Sequence, residues 1–481
     1  MTDTYSDAEL ADYEARMSAE FDREHADQPV TTPEGIGEQH RGQVRIAYRL
    51  ARANAHNLMF VRGFGWHTWD GTRWIRDEKD VASTAVLDVL RAALADSLDD
   101  KELRADVRKC ETANGIAGVL AIASALPALR VAALDLDADP YLFNCANGTL
   151  DLRTRELRPH NPADRITRVA RGAYRPEIGP GIWDTFLASI LPAETERDYL
   201  QRVIGQSVFG AVREHLFPVL TGTGANGKGT AYGAIANAMG DYATIVDPGL
   251  LMSGGRGSSG PEMMQLFGAR LVIGSETEEG RQLDAALMKR MTGGDAITAR
   301  NLYEPPITWD PSHQLVYVTN HPPVVKGDDA AVWRRIRVIP FDVVVPVEER
   351  DGQLPERLTL AADAIVTWAV GGWFAYEDQG GMGEPDAVLR ATDAYQTESD
   401  PVKRFTLDHC VTGPHVSAQA RALFTAWQSW AISDGAPPLT EKAFGEQMDR
   451  LGFLGKRTNM GKIRVGIGLP ANTDGPQSDG W

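Results

Sequence analysis

The chain has 481 residues, 43% of them hydrophobic, and a formal net charge of −17 at pH 7. Such a length suggests about three or four domains, the apolar fraction excludes a disordered chain, and the charge argues against a protein that coats nucleic acid over its whole surface while leaving room for a local basic wing. The apolar runs fall short of the ~20 residues that cross a bilayer, the opening MTDTYSDAELADYEARM is not signal-like, and Cys110, Cys145 and Cys410 lack CxxC spacing, so the expectation is no membrane partner and a reducing cytoplasm without structural zinc.

Residues 1–40 read as a short acidic helix and a linker. LMFVRGFGWHTWDGTRWIRDEK (58–79) predicts two short strands around an Asp70-Gly71 turn. Its aromatics Phe64, Trp66, Trp69 and Trp74 fit a small β core better than base stacking. Residues 81–133 carry helical spacing. In 132–139, Asp135, Asp137 and Asp139 alternate with apolar residues as at the metal sites of primases and polymerases; no second carboxylate strand accompanies them, so a solvated strand-to-loop passage is expected. YLFNCANGTLDL (141–152) predicts a hairpin at Asn147-Gly148. A helical stretch from Trp183 to Val212 then leads into the strand 216–220.

Thr221–Thr230 reads TGTGANGKGT. Gly222, Gly227 and Lys228 fit the phosphate loop G-x-x-x-x-G-K-[ST], but Gly229 stands where a magnesium-binding hydroxyl belongs and Thr230 comes one place late. Thr230 replaces that hydroxyl only if the helix start shifts by one residue; otherwise water is the ligand. The same letters satisfy G-x-G-x-x-G through Gly222, Gly224 and Gly227, and Asp247 closes the next strand about twenty residues on, where a dinucleotide fold keeps its ribose acid. In either reading the backbone of Thr223, Gly224, Ala225 and Asn226 faces an anion at a helix start. Lys228 favours a triphosphate, which needs an ammonium beside its β- and γ-phosphates.

Arg270–Glu276 predicts a buried strand ending in an acid, with Glu276 placed to hold Mg²⁺ and Glu278 to orient water. His313–Asn320 predicts a second buried strand, whose Asn320 either touches the γ-phosphate and attacking water or caps the turn before Pro322-Pro323. Asp328–Arg337 packs Arg334, Arg335 and Arg337 closely, either as a salt-bridged turn or as the carrier of an arginine finger, with Arg335 narrowly favoured over Arg334. These residues fall within roughly a hundred positions, the size of one domain. EDQGGMGEPDAV (377–388) then reads as a Gly-rich linker. Helices over 417–433 and 440–452 followed by a hairpin make a winged-helix pattern. From Arg450 to Thr473 there is no acid, while Arg450, Lys456, Arg457, Lys462 and Arg464 surround the turn at 458–461. They predict phosphate-backbone contacts, the rival being a wing packed on acidic helices.

The segments ANGKGT (225–230), ARLVIGSETEEGRQL (269–283), LMKRMTGGDAITARNLY (287–303), LVYVTNHPP (315–323) and DDAAVWRRIRVIPF (328–341) resemble the superfamily III helicases, in particular the phage and plasmid primase-helicase family related to the poxvirus primase-helicase. The resemblance covers about 140–470. It implies an α/β chain with a P-loop AAA+-like ATPase core, a preceding α+β/helical region and a C-terminal winged-helix domain. The corresponding segments are 1–135 (role unassigned), 136–210 (pre-helicase domain with helical collar), 211–375 (ATPase), 390–470 (winged helix) and a tail, 471–481. It further implies a ring, usually a homo-hexamer, moving 3′→5′ on single-stranded DNA at a replication fork with ATP and Mg²⁺, in the cytoplasm (of a bacterial host if phage-encoded). Primase, polymerase or loader partners are implied too. Lys289, Arg290 and Arg300 fall in the segment whose hairpin faces the channel, and are DNA-contact candidates or interface ion pairs. Primer synthesis is not carried over, because the N-terminal region lacks a catalytic carboxylate set. A nucleotide-binding replisome adaptor and a dinucleotide-dependent oxidoreductase remain the alternatives.

Overall fold

The computed structural model describes residues 36–179, 181–253, 260–275, 280–302, 304–325, 329–459 and 461–470. The helix expected before residue 36 and the tail 471–481 lie outside them. Two compact units emerge. The first ends at Asp139 and takes back Arg158–Val169; the second comprises Pro140–Leu157 and the chain from Ala170 onward. Residues 158–169 thus pack with the first unit although they lie inside the expected 136–210 segment.

In the first unit, strands Leu58–Val61, Gly65–Trp69 and Trp74–Arg76 form an antiparallel meander, with Arg130–Val131 added in parallel. The Asp70-Gly71 turn is present. Asp70 accepts from the N–H groups of Thr72 and Arg73 at 2.7 and 2.9 Å, and Gly71 takes a φ of 101°. Trp69 packs edge-on against Trp74 in the sheet's core, and Trp66, edge-on to Phe60, packs against the helical core. Helices Gln43–Asn54, Val81–Asp96, Lys101–Cys110 and Ala113–Ala123 bury Ile46, Leu50, Val86, Leu90, Leu103 and Val107 together. The carboxylate run is structural: Asp135 accepts from Ala132 N, and Asp137 accepts from Thr167 N and Oγ1.

The second unit is built on a parallel sheet of β1 (Phe217–Thr221), β2 (Ala243–Val246), β3 (Leu271–Ser275), β4 (Gln314–Val318) and β5 (Ile336–Pro340). Its spatial order is β5-β1-β4-β3-β2, parallel throughout. β1, β3, β4 and most of β5 are buried, which explains why they read as near-continuous apolar runs rather than alternations. Helix α1 (Lys228–Met239) follows β1, α2 (Ala285–Thr292) follows β3, and the short α3 (Ala330–Trp333) precedes β5. The predicted hairpin at 142–151 packs Phe143 and Leu150 into one core with Trp183, Tyr199 and Trp373. Helices Glu194–Gly205 and Ala362–Gln379 meet where neither can carry a side chain. A Cβ on Gly205 would run into the Gly372–Trp373 backbone, and one on Gly372 into the Gln201 carbonyl. Among the described residues no single helix is long and apolar enough to cross a bilayer.

Beyond the sheet lie α4 (Asp386–Glu398), α5 (Pro401–His409), β6 (Val411–Gln419), α6 (Ala420–Asp434), α7 (Glu441–Arg450), β7 (Gly455–Thr458) and β8 (Gly461–Gly468). The sheet runs β6-β8-β7, and Phe405, Leu423, Trp427, Phe444, Met448 and Ile467 form its core. Three expectations change here. The stretch 377–388 is not a free linker: Arg202 donates to the carbonyls of Met382 and Gly383, and Met382 is buried. Helix α4 belongs to the parallel sheet, since Thr392 Oγ1 accepts from Val338 N at 3.0 Å, so the small C-terminal module starts at α5 rather than at 390. And β6, with Gly413 and Pro414 inside it, was hidden by residues that ordinarily interrupt strands.

Candidate active site

In a parallel sheet all carboxyl ends share one edge, and ligands bind outside that edge where the strand order reverses. The loop 222–227 leaves β1 at this edge. Its glycines divide by cause. A Cβ on Gly222 (φ 153°) would collide with the Asn226 amide and the Phe341 carbonyl, and one on Gly227 (φ 76°) would lie 2.6 Å from Ile190 Cγ2. Gly224 and Gly229 have nothing within 4 Å of where a Cβ would sit, so they leave open space rather than answer to packing. Ala225 also takes a positive φ, 62°. Among the described residues the N–H groups of Thr223, Gly224 and Ala225 meet no acceptor, and α1 begins immediately after the loop. Backbone donors curled at a helix start are what an anion of phosphate type requires. The residues present therefore fit a nucleotide phosphate chain.

Asn226 has a role its sequence position did not announce. It is 3% exposed, its Nδ2 donates to Phe341 O at 3.1 Å, and its Oδ1 accepts from Lys228 Nζ at 3.1 Å. The side chain thus ties the loop to the end of β5, and any part Asn226 plays toward a ligand falls to its backbone. Val345 N donates to Ala225 O at 2.9 Å, a second tether from the same segment. The amide directly before Gly227-Lys228 was the only visible signal of this tether.

Lys228 is the first residue of α1 and is 4% exposed. Its ammonium donates to Gly222 O at 2.8 Å, Asn226 Oδ1 at 3.1 Å and Asn320 Oδ1 at 3.1 Å. Among the described residues no carboxylate offsets the burial, which pushes its pKa down to about 8. The contact with Asn320 joins residues 92 positions apart, and it gathers loop, lysine and the end of β4 into one place. Asn320 itself is exposed, beyond buried Thr319. The turn-cap role belongs instead to Thr319, whose Oγ1 accepts from His321 N at 3.0 Å.

Helix α1 starts at Lys228, without the one-residue shift that would let Thr230 stand in for the missing hydroxyl. Thr230 follows Gly229 by one residue and is turned about 100° around the helix axis. A side chain at position 229 would meet nothing within 4 Å of its Cβ, whereas Thr230 is half-buried. Glu276 and Glu278 lie outside the described residues; Ser275, just before them, pairs with Val318 two residues before Asn320. Among the described residues no group of three or more His, Cys, Asp or Glu side chains could hold a metal.

The dinucleotide reading fails on topology. A dinucleotide fold sets its first two strands side by side, whereas β4 and β3 separate β1 from β2. Asp247, at the end of β2, instead caps a 3₁₀ turn by accepting from Gly249 N at 2.7 Å.

The two arginines also separate. Arg335 is 6% exposed and donates to Ala331 O at 2.6 Å; burial lowers its pKa. Arg334 is exposed. The narrow preference for Arg335 is therefore corrected, because only Arg334 has a side chain free to reach outward. Asp329 caps α3 by accepting from Ala331 N at 2.8 Å and pairs with Lys289 Nζ at 2.8 Å. Lys289 is accordingly an intramolecular tie between α2 and α3, while Arg290 and Arg300 are exposed.

The basic run around the C-terminal hairpin splits likewise. Lys456, Arg457 and Lys462 are exposed on β7 and β8. Arg464, expected to touch DNA, is 2% exposed. It donates to Phe453 O at 2.8 Å, to Gly445 O at 2.6 Å and to the Asp449 carboxylate, so it holds the hairpin to α7. Arg450 pairs with Asp400.

Residues 47–192 match the family described as D5 N terminal like, and residues 220–335 match a family of unknown function, DUF5906. The chain is 33% identical over 214 residues to "Putative helicase L207/L206" of Acanthamoeba polyphaga mimivirus, which covers 43% of this chain and 22% of that protein. It is 26% identical over 409 residues to "Putative helicase 022R" of Frog virus 3, covering 67% and 42% respectively. A third relative, "Putative primase C962R" of African swine fever virus, is 25% identical over 214 residues, with 42% and 22% covered. The chain is thus similar to viral proteins described as helicases and primases. It spans less than half the length of these relatives. The solved apo structure of the NrS-1 C terminal region aligns over 88% of this chain and 98% of that one, with a TM-score of 0.48 and 8% identity.

Proposed function

We propose that this primase-helicase relative is the motor subunit of a replicative DNA helicase, an AAA+-like ATPase of superfamily III that assembles as a ring, usually a hexamer, and moves 3′→5′ on single-stranded DNA. The observation that carries the reading is the Lys228–Asn320 contact at the carboxyl edge of a β5-β1-β4-β3-β2 sheet. It places the phosphate-loop ammonium beside the amide at the end of the strand next to β1, where a γ-phosphate and its attacking water need both. Lys228 would leave its oxygen cage to meet the β- and γ-phosphates, and Asn320, released from Lys228, would orient the water. Mg²⁺, when bound, would neutralise charge between the phosphates, with Glu276 and water at the Gly229 position as its expected ligands and Glu278 near the water. Arg334 of one subunit would stabilise charge at the site of the next, a role worth roughly 10³–10⁵ in rate where measured. The α5-β6-α6-α7-β7-β8 module would act as a winged helix, with Lys456, Arg457 and Lys462 on duplex phosphates and Arg290 and Arg300 nearer the channel. Primase, polymerase or loader proteins would be its partners at the fork.

The lack of a hydroxyl at Gly229 favours a second reading, a nucleotide-binding replisome adaptor that does not unwind DNA. One assay separates the two: ATP turnover with and without single-stranded DNA, for the wild type and for Lys228→Ala. The motor reading expects DNA-stimulated hydrolysis that Lys228→Ala abolishes. Nucleotide binding without turnover supports the adaptor, and an active Lys228→Ala chain would sink both.

A further inference from the structure

Helix α3 ends at Trp333, one residue before Arg334, and Trp333 packs against α4. The indole is 8% exposed and meets Tyr395 of α4 edge to face, with ring centroids 5.4 Å apart and planes at 72°. Tyr395 is itself fixed, since its hydroxyl donates to Pro323 O, three residues beyond Asn320. On another side of the indole lies a cavity of about 270 Å³, walled by Trp333, Ser399, Asp400, Lys403 and Arg450 among others. The wall opposite α3 is thus made at the junction of α4 and α5 and at the end of α7.

The Asp400–Arg450 pair forms that junction. Asp400 caps α5 by accepting from Lys403 N at 3.0 Å, and its other oxygen accepts from the Arg450 guanidinium. Arg450 is the last residue of α7, five residues before β7. The exposed bases Lys456 and Arg457 stand on β7. A force on that hairpin therefore reaches Arg450 through one turn of chain, and Arg450 is bonded to the residue that joins α4 to α5. Packed interiors resist gradual deformation and shift between discrete arrangements. The pocket beside the indole opens to solvent, so the ring has room on that side for such a shift.

We propose that Trp333 is a positioning residue for Arg334, and that the Asp400–Arg450 pair sets where Trp333 sits, so that duplex DNA on the C-terminal hairpin governs ATP turnover at the neighbouring subunit. This rests on the motor reading above. Engagement of duplex pulls α7, the Asp400–Arg450 wall moves, and the indole follows it into or out of the cavity, carrying Arg334 at the adjacent position with it. No bond is made or broken. The device changes how often the arginine stands at the neighbour's phosphates.

The test uses full-length protein and a forked DNA with a duplex arm. Asp400→Asn removes the charge pair but keeps the cap of α5, because Asn caps helices as well as Asp. Its basal turnover should stay within about twofold of wild type, a change of about 0.4 kcal/mol in the barrier at 1.36 kcal/mol per tenfold. Stimulation by the duplex arm should fall about fivefold or more, the lower range of coupling between sites. Arg450→Lys, which keeps the charge, should retain most of the stimulation, and Arg450→Gln should lose it. Trp333→Ala should lower kcat while leaving the KM for ATP unchanged, and Trp333→Phe, which keeps the ring contact with Tyr395, should restore kcat. If Asp400→Asn melts early, Arg450→Gln carries the same reading. Full stimulation in the charge-deleting variants overturns the proposal, as does a wild type whose hydrolysis ignores duplex. A wild type that hydrolyses no ATP overturns the motor reading itself, which is a different outcome.

Discussion

The buried ammonium of Lys228 leads to a prediction with a sign that is hard to obtain otherwise. Burial holds its pKa at about 8, against an ordinary 10.5. Nucleotide phosphates are already ionised above about pH 7, so between pH 8 and 10 the lysine is the group in the site that changes charge. Free protein at pH 9 carries the ammonium in only about a tenth of its molecules, and each further pH unit costs another factor of about ten, or 1.36 kcal/mol. A bound triphosphate should return the pKa toward its ordinary value, so binding takes up about one proton per nucleotide in this range. Folding stability moves the other way. The unfolded chain, with the lysine at 10.5, holds more protons than the folded one between pH 8 and 10.5, so stability rises with pH through that window as far as Lys228 is concerned. Titration calorimetry with a non-hydrolysable ATP analogue, from pH 7.5 to 9.5 in two buffers of different ionisation enthalpy, reads affinity and proton uptake together. Lys228→Arg keeps its charge throughout and should lose the pH slope whatever its absolute affinity. Flat wild-type affinity with no proton uptake would refute the reasoning.

Four further outcomes follow from the structure. Gly229→Ser places a hydroxyl in open space at the second helical position, where Ser is also preferred over Gly by a few tenths of a kcal/mol. The Mg²⁺ concentration for half-maximal turnover should fall, while Thr230→Ala should leave it unchanged; the reverse pattern would return the metal to Thr230. Mixing Lys228→Ala subunits with Arg334→Ala subunits, each inactive alone, should restore part of the ATPase activity if Arg334 acts across an interface, and co-assembled but silent mixtures would count against it. Reversing Lys456 and Arg457 to Glu should weaken duplex binding and reduce the slope of log affinity against log salt by about 2, with basal turnover unchanged. Arg464→Ala, by contrast, should lower the thermal midpoint through loss of about 1–3 kcal/mol of charged hydrogen bonds, and a stable Arg464→Ala chain that binds duplex poorly would put Arg464 back on the DNA.

Much of this protein was legible in one dimension because its signals are local. Strands buried on both faces must be apolar along their length, so 216–220, 270–276 and 313–320 announced themselves. A loop that curls around an anion needs positive φ and room, so its glycines stood out, as did the lysine beside them. What one dimension left open were choices between identical letters. TGTGANGKGT satisfies two nucleotide folds, and only the strand order, with β3 and β4 between β1 and β2, removes the dinucleotide fold. Arg334 and Arg335 are adjacent and chemically the same, yet the turn after α3 exposes one and buries the other. Lys289 and Arg464 looked like DNA contacts because charge in a sequence carries no partner. Asp329, 40 positions from the lysine, and Asp449, 15 from the arginine, supply those partners only once the chain is folded. Local backbone and burial requirements act over a few residues and leave their mark on composition. The pairing of charges and the ordering of strands are set by contacts between distant segments, and such contacts leave no mark on either segment alone.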